Sequence, residues 1–122
     1  PTRVARNGAL FTPDGRVNIR KNIYRTLDEA VDPACDCYTC RTFSAAYLSH
    51  LFRAGELLGL RLASIHNLRF IGRLMEDIRA AILEDRFESF AAAFHERYAP
   101  TDDAARVAQK QKWLDGRNAG AD

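Results

Sequence analysis

Three cysteines within six residues, Cys35, Cys37 and Cys40 in the run CDCYTC, constrain this chain more than any other feature of its sequence. An odd, tightly spaced set does not make a disulfide framework of the secreted kind. It does suit a metal. Zinc takes four ligands near tetrahedral geometry, and a thiolate is a good one. The spacings C-x-C and C-x2-C let one short turn aim three sulfurs at a common point. The fourth ligand has to come from elsewhere, and the chain carries three histidines. His50 and His95 fall inside helical patterns. His66 stands beside Asn67 where two helical patterns meet, a break that would let its side chain turn back toward the cysteine loop. A helix carrying His50 would have to start almost within that loop and fold back. His66 is therefore the expected fourth ligand. Three thiolates and a neutral imidazole leave no open position, so the expected site is structural rather than catalytic. The competing reading is three free thiols, buried or redox-active.

A length of 122 residues allows one modest core and not two substantial domains. The start, PTRVARNG, has no apolar run behind it and does not read as a signal peptide. No stretch of about 18 apolar residues is present, so no membrane span is expected. The net charge of +2 says little about partners, but its distribution says more. Arg3, Arg6, Arg16, Arg20, Lys21 and Arg25 face Asp14 alone among the first 25 residues, which makes this strip a candidate for facing phosphates. A solvated, partly disordered end is the plainer alternative.

Along the chain, residues 1–8 read as extended or loop up to Gly8. Thr12-Pro13-Asp14-Gly15 reads as a turn. Arg16 to Arg20 alternates polar and apolar, so Leu10 to Ile19 forms a hairpin or Val17 to Ile19 forms one strand of a larger sheet. Residues 25–34 are irregular and acidic. A helix is expected over about Thr42–Leu58, with Phe43, Ala46, Tyr47, Leu51, Ala54 and Leu58 on its apolar face and Gly59 as its C-cap. Ser64 caps the next helix or opens a turn around His66. Asn67 to Leu83 carries a strong stripe of Phe70, Ile71, Leu74, Ile78, Ala81 and Ile82. Phe87, Phe90, Ala91, Phe94 and Tyr98 make a shorter one. These stripes are read as core rather than as a cofactor or RNA-stacking platform. Asp102 could cap a tail helix to Leu114, anchored by Trp113 and Leu114, and the chain after Asp115 reads as disordered.

Other chemistry is missing from the sequence. There is no G-x4-G-K-[ST] loop, no G-x-G-x-x-G after a strand, no H-E-x-x-H and no serine nucleophile elbow. The residues alone describe a zinc-stapled helical module with a basic arm.

The runs PTRVARNGALFTPDGRVNIRKN, CDCYTCRTFSAAYLSHL and HNLRFIGRLMEDIRAAI go further. In this order and spacing they resemble the C-terminal part of bacterial tRNA-guanine transglycosylases, over roughly Pro1 to Tyr98. The resemblance implies zinc bound by the C-x-C-x2-C cysteines and the histidine of an HN pair, which fall on Cys35, Cys37, Cys40 and His66. It implies an α/β parent enzyme, a (β/α)8 barrel with a zinc subdomain. Residues 16–20 would be its last strand and 67–98 its closing helices. This chain alone is then expected to be mostly α-helical, with a short strand or hairpin near the N-terminus and that N-terminal segment disordered or swapped. The expected organisation is a basic N-terminal segment at 1–24, a zinc-binding helical subdomain with closing helices at 25–98, and a tail at 99–122.

The family exchanges the wobble guanine of certain tRNAs for a 7-deazaguanine, the queuosine precursor. An aspartate nucleophile attacks the ribose and gives a covalent intermediate that splits the displacement into two easier steps. In the family's motif that aspartate lies just before the proline of PTR, upstream of Pro1, so no catalytic residue is assigned here and the chain alone is expected to be inactive. Arg3 and Arg6 follow the nucleophile along the anticodon loop and are the expected RNA contacts, with Thr2 and Lys21 beside them. The family usually has asparagine where Lys21 stands and proline where Ala30 stands. Phe43, Tyr47 and His50 lie where bacterial members form a homodimer, in a cytoplasmic enzyme with no membrane association. Two other readings remain: a stand-alone zinc-dependent RNA-binding module, and a structural or dimerising fragment.

Overall fold

The computed structural model describes residues 1–99 together with 107, 108, 111 and 112. Among the described residues, five named α-helices, one hairpin and a 3-10 turn follow in the order α1 (Thr2–Arg6), β1 (Ala9–Thr12), β2 (Gly15–Asn18), the 3-10 turn at Asn22–Arg25, α2 (Tyr38–Thr42), α3 (Ala45–Ala54), α4 (Leu57–Leu83) and α5 (Phe87–Arg97). The expected fold, mostly helical with a short hairpin near the N-terminus, is what forms. The expected tail helix from Asp102 to Leu114 lies outside the described residues for most of its length.

The N-terminal segment departs from its expected extended form. Thr2–Arg6 is a turn of helix, and the N–H of Ala5 bonds the carbonyl of Pro1. Five residues are too few to show a helical period in sequence, and the helix is held by burial of Ala5. Gly8, at φ 83°, turns the chain out of it into β1. The two strands pair antiparallel with Leu10 opposite Val17 and Thr12 opposite Gly15. Of residues 16–20, only 16–18 are strand, and within the described residues they belong to a two-stranded antiparallel hairpin. The segment packs onto the helices: Ala5, Leu10 and Ile19 share one buried cluster with Ala45, Leu48, Leu51, Phe52, Leu62 and Ala63.

The helix expected over Thr42–Leu58 is instead the end of α2, all of α3 and the start of α4. Phe43 is extended at φ −126°, and Ser44 caps α3 by accepting the N–H of Tyr47. The buried face of α3 is Ala45, Leu48, Ser49 and Phe52, with Leu51 beside it. Of the expected stripe of Phe43, Ala46, Tyr47, Leu51, Ala54 and Leu58, Phe43 precedes α3, Leu58 belongs to α4, and only Leu51 is buried. Gly55, at φ 72°, ends α3 in the left-handed conformation, the role expected of Gly59. Gly59 lies inside α4 instead. A Cβ there would stand 3.0 Å from Leu51 Cβ and 3.3 Å from the Phe52 ring, so its missing side chain lets α3 and α4 close.

The α4 helix runs unbroken for 27 residues, about 40 Å at the usual rise. The expected break at His66 does not exist, and Ser64, expected at a cap or turn, is mid-helix and bonds back to the Leu60 carbonyl at 2.8 Å. The first half of α4 buries Gly59, Leu62, Ala63, His66 and Asn67. The second half carries α5, through half-buried Phe70, Leu74, Ile78, Phe90, Ala91 and Phe94. The end of α5 is tied to the hairpin turn. Arg97 bonds Asp14 at 2.8 Å, and the N–H of Ala99 bonds the carbonyl of Asp14.

Candidate metal centre

Residues 32–40 form a tight loop laid against α4. The N–H of Ala34 bonds the Asp32 carboxylate, and that of Cys35 bonds the Asp32 carbonyl. Cys37 then opens α2, its sulfur accepting the N–H of Cys40 at 3.3 Å. This cap points Cys37 and Cys40 to the same side. Buried Thr39, between them, donates its hydroxyl to the Leu62 carbonyl at 2.7 Å and seats α2 on the helix turn that carries His66. On the outer edge, Arg69 grips both oxygens of Asp36 at 2.9 Å, and Arg73 reaches the Ala34 carbonyl.

This packing brings Cys35, Cys37, Cys40 and His66 together, one donor atom from each within 4.8 Å of the others. The Nδ1 atom of His66 lies 3.3 Å from the Cys40 sulfur and 3.6 Å from that of Cys37. Tetrahedral zinc with bonds of about 2.3 Å to sulfur and about 2.0 Å to nitrogen would set such pairs about 3.5 Å apart. The separations and the donor chemistry therefore fit that ion. The other ring nitrogen, Nε2, donates its proton to the Phe11 carbonyl at 2.6 Å. That bond fixes the tautomer and leaves the Nδ1 lone pair facing the sulfurs. Four such ligands stabilise the fold by cross-linking loop to helix and leave no position for substrate.

The four donors of the cluster do not hold their protons equally. The Cys37 thiol is pulled well below the usual range by the hydrogen bond from Cys40, against the effect of burial. Cys40 is pushed up, first by giving that bond and then by burial, and burial also raises Cys35. At His66 burial favours the neutral ring, but the bonds to Cys37 and to the Phe11 carbonyl outweigh it and raise the pKa. Metal binding must then displace the protons that the cluster holds.

The other sequence-derived residues lie on the surface. Thr2, Arg3, Arg6 and Lys21 are all exposed. Arg3 and Arg6 fall one turn apart on α1. Phe43 and Tyr47 stack at 5.1 Å, and Tyr38 meets Phe43 edge-on at 5.8 Å. His50 is exposed on α3. Phe43 sits in the break before α3 rather than on it. Sequence reasoning missed Thr39, Asp36, Arg69 and the hydrogen bonds of Asn67. Asp36 is flanked by two ligands and Arg69 stands three residues past a third, a spacing that keeps it on the ligand's side of the helix. No helix among the described residues is long and apolar enough to cross a membrane.

Hairpin, clasped loop and buried four-donor cluster define a small helical module with a Cys3His zinc centre. Comparison with known proteins places it further. The family model for queuine tRNA-ribosyltransferase matches residues 1–100, and the chain belongs to that family. A queuine tRNA-ribosyltransferase of Dehalococcoides mccartyi strain CBDB1 is 58% identical over 118 residues, 97% of this chain and 30% of the relative. One from Herpetosiphon aurantiacus is 50% identical over all of this chain and 31% of its own length. One from Actinobacillus succinogenes is 58% identical over 97 residues, 80% of this chain and 26% of its own. The chain thus spans under a third of the length of these relatives.

Proposed function

We propose that these residues form the zinc-stapled, RNA-facing portion of a cytoplasmic tRNA-guanine transglycosylase, which exchanges wobble guanine for a 7-deazaguanine. In this reading Cys35, Cys37, Cys40 and His66 hold zinc. Arg3 and Arg6, with Thr2 and Lys21, meet the anticodon loop. The exchange chemistry belongs to residues outside these 122, and the chain alone is expected to give no turnover. The observation that carries the reading is the placement of α1. Its two arginines are exposed, and the helix is tied by Asn67 to the turn of α4 that bears His66. A cation pair held on a fixed support positions a phosphate backbone without reading sequence.

The test is binding of a tRNA anticodon stem-loop by the 122-residue chain across a salt series. Arg3→Ala and Arg6→Ala should each weaken binding and lower the salt slope by about one. Unchanged affinity in both variants would overturn the assignment. A second reading, self-association through the α2–α3 edge, has its own support in the row of exposed Tyr38, half-buried Phe43 and exposed Tyr47, with exposed His50 on α3. Sedimentation that shows a concentration-dependent dimer, weakened by Tyr47→Ala, would favour it. A monomer at all concentrations would remove it.

A further inference from the structure

We propose that Asn67 is a positioning residue that converts zinc ligation at His66 into a fixed place for the N-terminal arm. The argument starts at the edge of the hairpin. The N–H of Ile19 bonds the Gly8 carbonyl, so by antiparallel alternation Leu10 and Thr12 face β2 while Ala9 and Phe11 turn their backbone groups to the other edge. Such groups need partners when covered. Two consecutive residues of α4 supply them. His66 Nε2 donates to the Phe11 carbonyl at 2.6 Å. The side chain of Asn67 accepts the Phe11 N–H at 3.0 Å and donates to the Ala9 carbonyl at 2.9 Å. Its remaining donor reaches the Pro1 carbonyl at 3.2 Å. Both side chains are wholly buried.

A carboxamide offers two donors and an oxygen with two lone pairs, and Asn67 uses both donors and one lone pair on backbone at positions 1, 9 and 11. The Pro1 carbonyl also accepts the Ala5 N–H that closes the first turn of α1. Asn67 thus holds both ends of the segment that carries Arg3 and Arg6. His66 and Asn67 ride on one unbroken helix, so they move together. Zinc that fixes the His66 ring against the loop also fixes Phe11, and Asn67 carries the constraint from Phe11 to Pro1. No other polar residue of similar size suits these contacts. Aspartate would set an oxygen against two carbonyls, and leucine would leave the Ala9 carbonyl and the Phe11 N–H unpaired.

The consequence for RNA rests on the reading above, but the positioning itself is tested without RNA. Amide exchange is measured by NMR on the zinc-loaded 122-residue chain, its Asn67→Ala and Asn67→Asp variants, and the wild type during stepwise chelation. Metal content and the thiolate-to-cobalt band of the cobalt-substituted protein report the centre. The expected result is an unchanged cobalt band in the variants. Exchange should rise about tenfold or more at Ala5 and Phe11, and not at Leu48 or Phe52 in the core. In the wild type, protection at Ala5 and Phe11 should be lost at the chelator level that removes zinc. Equal protection at these two amides in both variants would overturn the proposal. So would their survival after metal removal, or loss of protection uniformly along the chain. If neither variant folds, the chelation series alone decides between these outcomes.

Discussion

Cys37 has two jobs in this structure, and Cys37→Ser separates them. Its sulfur belongs to the metal cluster and also accepts the N–H of Cys40 to start α2. Serine is among the better N-cap residues, so the variant keeps a cap worth about 1 kcal/mol. It does not keep a thiolate. The loss should therefore be almost wholly that of metal. With free zinc about a thousandfold above its dissociation constant, linkage supplies about 4 kcal/mol. For a domain near this size each kcal/mol moves the midpoint by about 4–8 °C, so the variant should melt about 15–30 °C below the zinc-loaded wild type. The assay is thermal unfolding by circular dichroism with and without chelator, paired with native mass spectrometry for bound zinc. Wild type should fall to the variant's midpoint when chelated, and the variant should not respond. A wild type that melts identically with and without chelator, or a variant that retains one zinc and its full midpoint, would refute the reasoning.

Two further expectations concern the contacts that hold the module around its centre. Gly15 sits at φ 132° with a would-be Cβ only 2.7 Å from the Ala99 carbonyl. Gly15→Ala should cost about 1–3 kcal/mol in denaturant unfolding, clearly more than Gly55→Ala, where φ is 72° but nothing stands within 4 Å; equal costs would mean that the α5 end does not press on the hairpin turn. The Arg69 guanidinium holds the Asp36 carboxyl below its ordinary value of 3.8. A depressed carboxylate contributes stability above its unfolded pKa and loses it as pH falls through the folded one. Asp36→Asn should therefore fall below wild type near neutrality, and the two should converge as acid brings the pH beneath 3.8; a gap that persists or widens in acid would contradict the pairing.

The metal centre was legible because its chemistry is local. Three sulfurs in six residues need one turn, and that turn exists. His66 was legible as a member of the four-donor cluster for a reason the structure does not support, since no helix break carries it to the sulfurs. It reaches them because the loop is brought to the helix, by Thr39 on Leu62 and Arg69 on Asp36. Those contacts join residues far apart in the chain, and no periodicity announces them. The misplaced face of α3 has a simpler cause. The expected stripe took its phase from Phe43 and Tyr47, but Ser44 starts the helix so that Ala45, Leu48, Ser49 and Phe52 face inward. The five-residue α1 had no period to read. It depends on Asn67, more than sixty positions away.

What unites these cases is where the core runs out. The nine-residue buried cluster lies under the hairpin, α3 and the first half of α4. Beyond it, the second half of α4 and α5 leave Met75, Ile82, Leu83 and Phe87 largely exposed, and α5 buries no residue fully. The four-donor cluster sits at the margin of that core, where loop 32–40 has few large apolar side chains to bury. A loop of that composition cannot hold itself to a helix by apolar burial at about 25 cal/mol per Å². A metal cross-link can, since structural zinc contributes directly to folding free energy. The sequence places its cysteines at the margin of the buried cluster, where the ion would tie a loop that apolar burial alone does not hold.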